Sequence, residues 1–360
     1  MMIRPFREIE FEILQDLGVE LSDENKHSFY IIASSEKGEY LEPYLVRTFD
    51  EAYQIFGDGN MIELIRSVYQ VSGEVPISAI RVDWEEDYRR ELVHLLRYLD
   101  FRYLLIDPYI SFEYDMDFIL SIIDIMKESL DHKSQLCHAF LSVDMDVHLS
   151  DIAELGEFLR GFYSYNETNA GIFISLILNQ AKNFISSGLY AGLAISQSID
   201  NTPRNKMLEG ESNDIYRTID FNQISKGLEE SYENLGVVVM DDTYHKGPVF
   251  KTDVLLSSPD TKSQYRFFTN VKAVMFVLDF VKDRVERLRG QMSINPYEQV
   301  YEALRRAIEA ILISGVVQDI EYDLEELPAG LGKNYHIRLK ILPHFSVNYI
   351  VQKTMVSIFS

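Results

Sequence analysis

Apolar and charged residues alternate along both ends of the chain. Near the front, Ile9, Phe11 and Ile13 are separated by glutamates, and near the back the segment 335–341 alternates apolar residues with one histidine and two basic residues. A period of two indicates strands with one buried face. Because a terminal strand joins a neighbouring sheet without threading the chain, the pattern favours an assembling protein over an enzyme.

Strand and helix patterns take turns through the first two thirds of the chain. Short apolar runs predict strands at 28–34, 75–82, 103–106, 136–143, 170–178 and 237–240. Helical spacing of apolar residues predicts helices at 92–98, 115–130, 149–162, 188–198 and 224–234. This alternation predicts an α/β domain with a mainly parallel sheet.

Two capping-box spacings punctuate a helical stretch before residue 75. Thr48 is followed by Glu51, and Asn60 is followed by Glu63, with glycines in between. In a capping box, a polar side chain accepts a hydrogen bond from the backbone three residues later, so each pair predicts a helix start.

The last third of the chain has a different pattern. Apolar residues mark one face of a helix over 271–289, and Asn295 and Pro296 begin a second helix that ends near Gly315. Strands then close the chain, including 335–341 and, beyond Pro343, a run from 345 to 359. Two helices followed by strands without further alternation predict a smaller α+β C-terminal domain.

The charge is distributed unevenly. The 360 residues carry a net charge of −23, yet the last 90 hold eleven basic and eleven acidic residues, so the whole net charge lies in the first 270. An acidic body argues against direct nucleic-acid binding. Cys137 is the single cysteine, which excludes an internal disulfide, and the sequence predicts neither a membrane helix nor a signal peptide. We expect the protein to stay in the cytoplasm where it is made.

Three stretches carry a resemblance to a known family. The first comprises Lys37-Gly38, Pro43, Thr48 to Ala52, Phe56-Gly57 and Ala79-Ile80-Arg81-Val82. The second is Gly188-Leu189-Tyr190-Ala191-Gly192, followed by Asp200, Pro203, Asn205, Leu208 and Gly210. The third runs from Leu235 to the end and includes Arg266, the long helix, Asn295-Pro296, Gly315 and a strand pair around Pro343. In this order they resemble the contractile tail sheath subunits of bacteriophages, R-type bacteriocins and contractile injection systems.

The resemblance implies a structural subunit without a catalytic site or cofactor. Such subunits form stacked six-subunit rings around a tail tube and contract to drive the tube through a cell envelope. The implied partners are neighbouring sheath subunits, the tube protein, the baseplate and the tail terminator, and the implied location is a virion tail or phage-tail-like particle. The chain departs from the family in having Ser72-Gly73-Glu74 where a Gly-Gly is usual, and in being short.

Family organisation implies four segments. We expect an N-terminal strand arm (1–20), an α/β outer domain (21–250), an α+β inner domain (251–343) and a C-terminal strand arm (344–360). The arms would reach into neighbouring subunits, while 335–341 stays as the template that they join. The residues expected to form the arms are Phe6, Ile9, Phe11, Ile13, Phe345, Val347, Tyr349 and Val351.

A basic stretch of the long C-terminal helix is a candidate surface for the tube. It comprises Lys282, Arg284, Arg287 and Arg289. The alternative is pairing within the helix, because Lys282 with Glu286 and Asp283 with Arg287 have the i,i+4 spacing of intrahelical ion pairs.

Two functions of other kinds are also open. Asp107, Asp241 and Asp242 follow apolar strands, so they define a magnesium-dependent α/β enzyme as one alternative. A second alternative is a non-contractile baseplate or tail-completion protein of the same particle. Asp144, Asp146, His148 and Asp151 look like metal ligands, but their alternation favours a solvated turn before a helix.

Overall fold

The computed structural model describes residues 8–13, 29–84, 86–107, 112–133, 135–165, 172–196, 219–241, 248–256, 267–288, 294–327 and 334–343. The strands are β1 (Glu8–Ile13), β2 (Phe29–Ala33), β3 (Pro43–Val46), β4 (Ile77–Arg81), β5 (Tyr103–Ile106), β6 (Cys137–Val143), β7 (Ile172–Leu178), β8 (Val237–Val238), β9 (Met240–Asp241), β10 (Val249–Phe250), β11 (Val317–Leu327) and β12 (Asn334–Pro343). The helices are α1 (Phe49–Phe56), α2 (Asn60–Ser72), α3 (Glu86–Tyr98), α4 (Phe112–Lys133), α5 (Leu149–Tyr165), α6 (Ser186–Ser196), α7 (Lys226–Asn234), α8 (Phe268–Glu286) and α9 (Pro296–Ser314).

Seven strands form a mostly parallel sheet in the order β3-β4-β2-β5-β6-β7-β8. Only β3, at one edge, runs antiparallel to its neighbour. Every residue of β6 is buried, as expected for a central parallel strand that is covered on both faces. The predicted α/β class with a mainly parallel sheet is therefore confirmed, and β3 is an edge strand that the sequence patterns did not predict.

Helices cover both faces of this sheet. Buried residues of α1, α2 and α6 join one apolar cluster, together with much of α8. Buried residues of α3, α4, α5 and α7 join a second cluster on the opposite face. This arrangement follows from alternating strands and helices, because each crossover helix must bury its apolar face against the sheet.

Two glycines of α6 permit a close approach to α2. A Cβ atom at Gly188 would lie 2.7 Å from Ser67 Cβ, and one at Gly192 would lie 2.6 Å from the carbonyl oxygen of Val68. No side chain fits at these distances. The glycines of the Gly188 to Gly192 stretch are therefore required for the close packing of α6 on α2.

A three-stranded antiparallel sheet joins the two ends of the chain. Its order is β1-β12-β11, and α8 and α9 carry buried apolar residues that share one cluster with β11 and β12. That cluster continues to Phe140 of the parallel sheet. Strand β12 thus pairs with β1 on one side and with β11 on the other, and the predicted run 345–359 lies outside the described residues.

The predicted caps have different outcomes. Thr48 Oγ1 accepts a hydrogen bond of 3.2 Å from the backbone N–H of Glu51, so the first helix start is confirmed. The second prediction is wrong in its detail, because the residue at the N-cap of α2 is Gly59 and no side chain caps this end. Asn60 lies inside the helix, where its amide group bonds to side chains near the end of β5. No helix in the described ranges is long and apolar enough to cross a membrane.

Candidate assembly surface

The central strand of the three-stranded sheet is β12. Its register pairs Ile9 of β1 with Leu339 and Phe11 with Ile337 on one side. On the other side Leu324 of β11 pairs with the same Ile337. The segment 335–341, which the sequence predicts to be the strand that other strands join, therefore pairs with a strand on each side.

One face of β12 is buried and the other is charged. Tyr335, Ile337, Leu339 and Ile341 are buried, while the three residues between them are half-exposed. Such alternation is what a strand needs when only one face packs on a core. The buried row faces the apolar cluster that includes α8 and α9.

Ion pairs link the charged faces of β11 and β12. Arg338 lies 3.6 Å from Asp323 and 3.2 Å from Glu325, measured between guanidinium nitrogens and carboxylate oxygens. Lys340 Nζ lies 3.5 Å from a carboxylate oxygen of Glu321. These contacts are solvent-exposed, so each stabilises the pairing only slightly and adds mainly to its specificity.

Tyrosine rings connect α9 to this sheet. Tyr297 stacks on Tyr301 of the same helix with ring centroids 6.4 Å apart and an interplanar angle of 11°. Tyr297 also contacts Tyr335 of β12, and its hydroxyl donates to the carbonyl of Leu324 at 3.3 Å. Tyr301 in turn contacts Tyr322. The rings fix the helix against both β11 and β12.

The predicted arm residues fall into two groups. Ile9, Phe11 and Ile13 lie at register positions on β1, paired with the chain's own β12. Phe6 and the predicted C-terminal arm residues lie outside the described residues: Phe345, Val347, Tyr349 and Val351.

The basic stretch of α8 forms local contacts. Lys282 lies 3.9 Å from Glu286, and Arg287 lies 2.7 Å from Asp283, so the predicted intrahelical pairing is confirmed for both. Arg284 is exposed, and its guanidinium carbon lies 5.0 Å from the ring centroid of Phe280. Arg289 lies outside the described residues.

Helix α8 also attaches to the parallel sheet. Asp279 pairs with Arg102, which directly precedes β5. Lys272 Nζ donates a hydrogen bond of 2.7 Å to the carbonyl oxygen of Ala194 in α6. At the start of α8, the ring of Phe268 lies 4.6 Å from that of the buried His138 in β6. One helix therefore lies against both sheets.

His138 is held in its neutral form. Its Nε2 lies 3.0 Å from Ser175 Oγ, and the side chain is fully buried between aromatic rings. Burial lowers the pKa of His138 to about 3, because the charged imidazolium cannot be hydrated there.

Neither a protein-family model nor a curated protein matches the sequence. Several solved structures match its fold along nearly the whole chain. The sheath of the PVC extracellular contractile injection system, in its contracted state, has a TM-score of 0.65 at 11% identity and covers 96% of this chain and 99% of its own. A structure of the anti-feeding prophage baseplate has a TM-score of 0.65 at 12% identity, and the match covers 96% of this chain and 100% of the other chain. The sheath tail protein of Listeria innocua has a TM-score of 0.59 at 8% identity and covers 89% and 96%.

The chain has the contractile sheath fold. The similarity covers almost the full length of both chains, so it includes the parallel sheet and the C-terminal part together. The resemblance inferred from the three sequence stretches is thereby confirmed at the level of the fold.

Within the sheath fold, Asp107 lies where open α/β sheets bind ligands. The chain leaves β2 toward β4 on one side, while β5 lies on the other side of β2, so the ends of β2 and β5 form a topological switch point. Asp107 directly follows β5 and is 1% exposed.

The carboxylate of Asp107 is already bound by side chains from three other parts of the chain. It accepts hydrogen bonds from the backbone N–H and hydroxyl of Ser34 at 2.9 and 3.0 Å. Asn60 Nδ2 donates to it at 3.1 and 3.2 Å, and Trp84 Nε1 donates at 3.2 Å. Four donor groups therefore occupy the oxygens that a metal ion would need.

The magnesium-site alternative is not favoured by this geometry. Asp241 belongs to β9, beyond β8, and β6 and β7 lie between β5 and β8. At about 4.8 Å per strand, the ends of β5 and β8 are roughly 14 Å apart, too far for one metal ion. Asp242 lies outside the described residues.

The acidic cluster that includes Asp144 and Asp146 lies at a turn before α5. The backbone N–H of Val147 donates to the backbone carbonyl oxygen of Asp144 at 3.3 Å, and α5 begins at Leu149. Burial, and then the charge of Asp146, raises the pKa of Asp144. Among the residues that the structure describes, no three His, Cys, Asp or Glu side chains are grouped to hold a metal ion.

Proposed function

We propose that this protein is the structural subunit of a contractile sheath. It assembles as stacked six-subunit rings around a tail tube and contracts to drive the tube through a cell envelope. The carrying observation is the sheath fold, which extends over 96% of this chain and 99% of a sheath protein from a contractile injection system. The location is the tail of a phage or phage-tail-like particle.

The terminal strands connect the subunits in this proposal. The segment 8–13 leaves its own β12 and pairs with the β12 of a neighbouring copy, and 344–360 reaches a second neighbour. Support comes from β1, which adds to the sheet through backbone pairing at the chain terminus, where exchange needs no rearrangement of the core. Backbone ladders keep subunits joined while the rigid parts of each subunit move.

The inner face of the sheath is formed by residues 251–343 and the outer body by residues 21–250. The neutral charge of the last 90 residues suits a surface that packs on a tube, while the acidic body suits the outside of a particle. On α8, Arg284 is the strongest candidate for a tube contact, since Lys282 and Arg287 already pair within the helix. Arg289 is a further candidate beyond the end of α8.

Electron microscopy of the purified full-length chain tests the function. We expect negative-stain images at high protein concentration to show hollow striated cylinders or stacked rings. A monodisperse monomer that stays unassembled, both alone and with the tube protein, would contradict the proposal.

A deletion tests the role of the N-terminal segment. Removal of residues 1–14 is expected to leave a folded subunit that forms no cylinders, whereas removal of residues 1–5 leaves assembly intact. Cylinders formed by the longer deletion would rule out exchange of this strand.

A baseplate role is the second candidate, because two of the similar solved structures are of the anti-feeding prophage baseplate. A baseplate component would form a single ring or a small complex. Cylinder length in the microscopy experiment therefore separates the two roles.

A further inference from the structure

The charged rows of β11 and β12 are complementary position by position. The half-exposed row of β12 consists of His336, Arg338 and Lys340. Directly opposite them on β11 are Glu325, Asp323 and Glu321. Ion pairs join two of these three opposite positions, Arg338 with Asp323 and Lys340 with Glu321.

The register of β1 repeats the same match on the other side. Opposite His336, Arg338 and Lys340 it places Glu12, Glu10 and Glu8. Each of these β12 positions is thus flanked by an acidic residue in both neighbouring strands. In an antiparallel pair, residues directly opposite each other share a face of the sheet.

This match occurs in only one register. A shift by one residue would exchange the apolar and charged faces of the strand. A shift by two residues in one direction places Glu8 opposite Leu342, and a shift in the other direction places Glu12 opposite Asn334 and Phe6 opposite Lys340. Only the observed register sets three acidic residues against His336, Arg338 and Lys340.

The outer edge of β11, on the side away from β12, is unfavourable for an acidic strand because β11 itself carries an acidic row. In the described part of the chain, no strand pairs with this edge. If strand 8–13 joined it with its apolar residues toward the core, its glutamates would lie beside the acidic row of β11. Like charges placed directly opposite each other destabilise a strand pair. The segment 344–360 contains no Asp or Glu, so it meets no such repulsion.

We propose that these charge rows form a selectivity code for strand addition. The β12 edge accepts strand 8–13 in a single register, and the acidic row of β11 rejects that strand at the other edge of the sheet. The donation between copies rests on the proposed sheath function. The code itself also acts within one chain, where β1 pairs with its own β12.

Hydrogen exchange of the unassembled full-length chain tests the code. We expect the triple variant Glu8→Lys, Glu10→Lys and Glu12→Lys to exchange the amides of 8–13 at least about tenfold faster than wild type, which corresponds to about 1.4 kcal/mol. The neutral variant Glu8→Gln, Glu10→Gln and Glu12→Gln is expected to fall between the two.

A control variant has the same change in net charge at a distance from the strands. Glu154→Lys, Glu157→Lys and Glu230→Lys replace exposed residues of α5 and α7. This control is expected to leave exchange of 8–13 unchanged. The code would be overturned if the amides of 8–13 exchange at the wild-type rate in the Glu8, Glu10 and Glu12 to Lys variant, or if the control accelerates their exchange equally.

The outcomes separate this proposal from the sheath function. If the Lys variant exchanges faster and the wild-type chain forms no cylinders, the result supports the code and contradicts the function. Cylinders from the wild-type chain together with unchanged exchange in the Lys variant would do the reverse.

Discussion

The indole Nε1 of Trp84 donates a hydrogen bond of 3.2 Å to Oδ2 of Asp107. The same carboxylate binds Ser34 after β2 and Asn60 at the start of α2, so it ties three segments to the end of β5. Trp84 is the single tryptophan of the chain. Its fluorescence therefore reports on this contact without any added label.

Replacing Asp107 with alanine is expected to lower the free energy of unfolding by about 3 kcal/mol, because buried donors lose their acceptor. Urea unfolding followed by Trp84 fluorescence measures the change. Asp107→Asn keeps one acceptor oxygen and is expected to lose less. Magnesium is expected to leave the wild-type midpoint unchanged, and a rise with added magnesium would revive the metal-site alternative.

Gly192→Ala is expected to destabilise the protein by about 1–3 kcal/mol, because its methyl group would lie 2.6 Å from Val68 O. This loss outweighs the gain of about 1 kcal/mol in helix propensity. Chemical denaturation of the variant and wild type under identical conditions measures the difference.

Gly227→Ala is the matched control for that substitution. Gly227 lies in α7, and a Cβ there would have nothing within 4 Å. We expect no destabilisation, and up to about 1 kcal/mol of stabilisation from helix propensity. Equal losses at Gly192 and Gly227 would mean that close packing of α6 on α2 is not the cause.

Because of His138, the free energy of unfolding is expected to decrease as the pH is lowered from about 6.5 to about 3. The unfolded chain binds a proton on this residue below its ordinary pKa of about 6.5, whereas the folded chain does so only below about 3. The unfolded state therefore binds more protons in this window, and up to about 1.4 kcal/mol is lost per pH unit.

Urea unfolding at several pH values, compared with His138→Gln, measures this contribution. The Gln variant is expected to show a smaller loss of stability on acidification. His94→Gln, at an exposed position of α3, serves as a control for the histidine-to-glutamine change itself. Identical slopes for wild type and His138→Gln would contradict the assignment.

Reversing Arg284, Arg287 and Arg289 to Glu is expected to weaken binding to the tube more than self-association. Co-sedimentation with the tube protein, compared with sedimentation alone, measures the two effects. The control reverses Arg90, Arg97 and Lys127 on α3 and α4, with the same change in net charge. An equal loss of both activities in the Arg284 variant would assign these residues to contacts between subunits.

The parallel sheet was predictable because its strands are nearly continuous apolar runs separated by amphipathic helices. The β6 segment illustrates this, since all of its residues are buried and its neighbours along the chain are helices. The intrahelical pairs of Lys282 and Arg287 were predictable for a similar reason, as spacing along one helix decides them.

The Asp107 contacts could not be predicted in this way. Ser34, Asn60 and Trp84 are 73, 47 and 23 residues from Asp107, and no spacing rule connects them. Asn60 had a capping-box spacing, yet its amide group bonds across the sheet edge because β5 ends beside it. The acidic row of β11, by contrast, is an alternation at Glu321, Asp323 and Glu325 that indicates a strand, but alternation alone does not say which strand lies opposite.

Because β1 and its partner β12 are far apart in the sequence, a ribosome completes β12 long after it has made β1. Until then β1 lacks the strand that the structure pairs with it. In the proposed exchange, its own β12 and that of another copy would then compete for β1, and the ratio would be set by the subunit concentration relative to the effective concentration within one chain. Under that proposal, a rise in subunit concentration alone would shift β1 from its own β12 to the β12 of another copy.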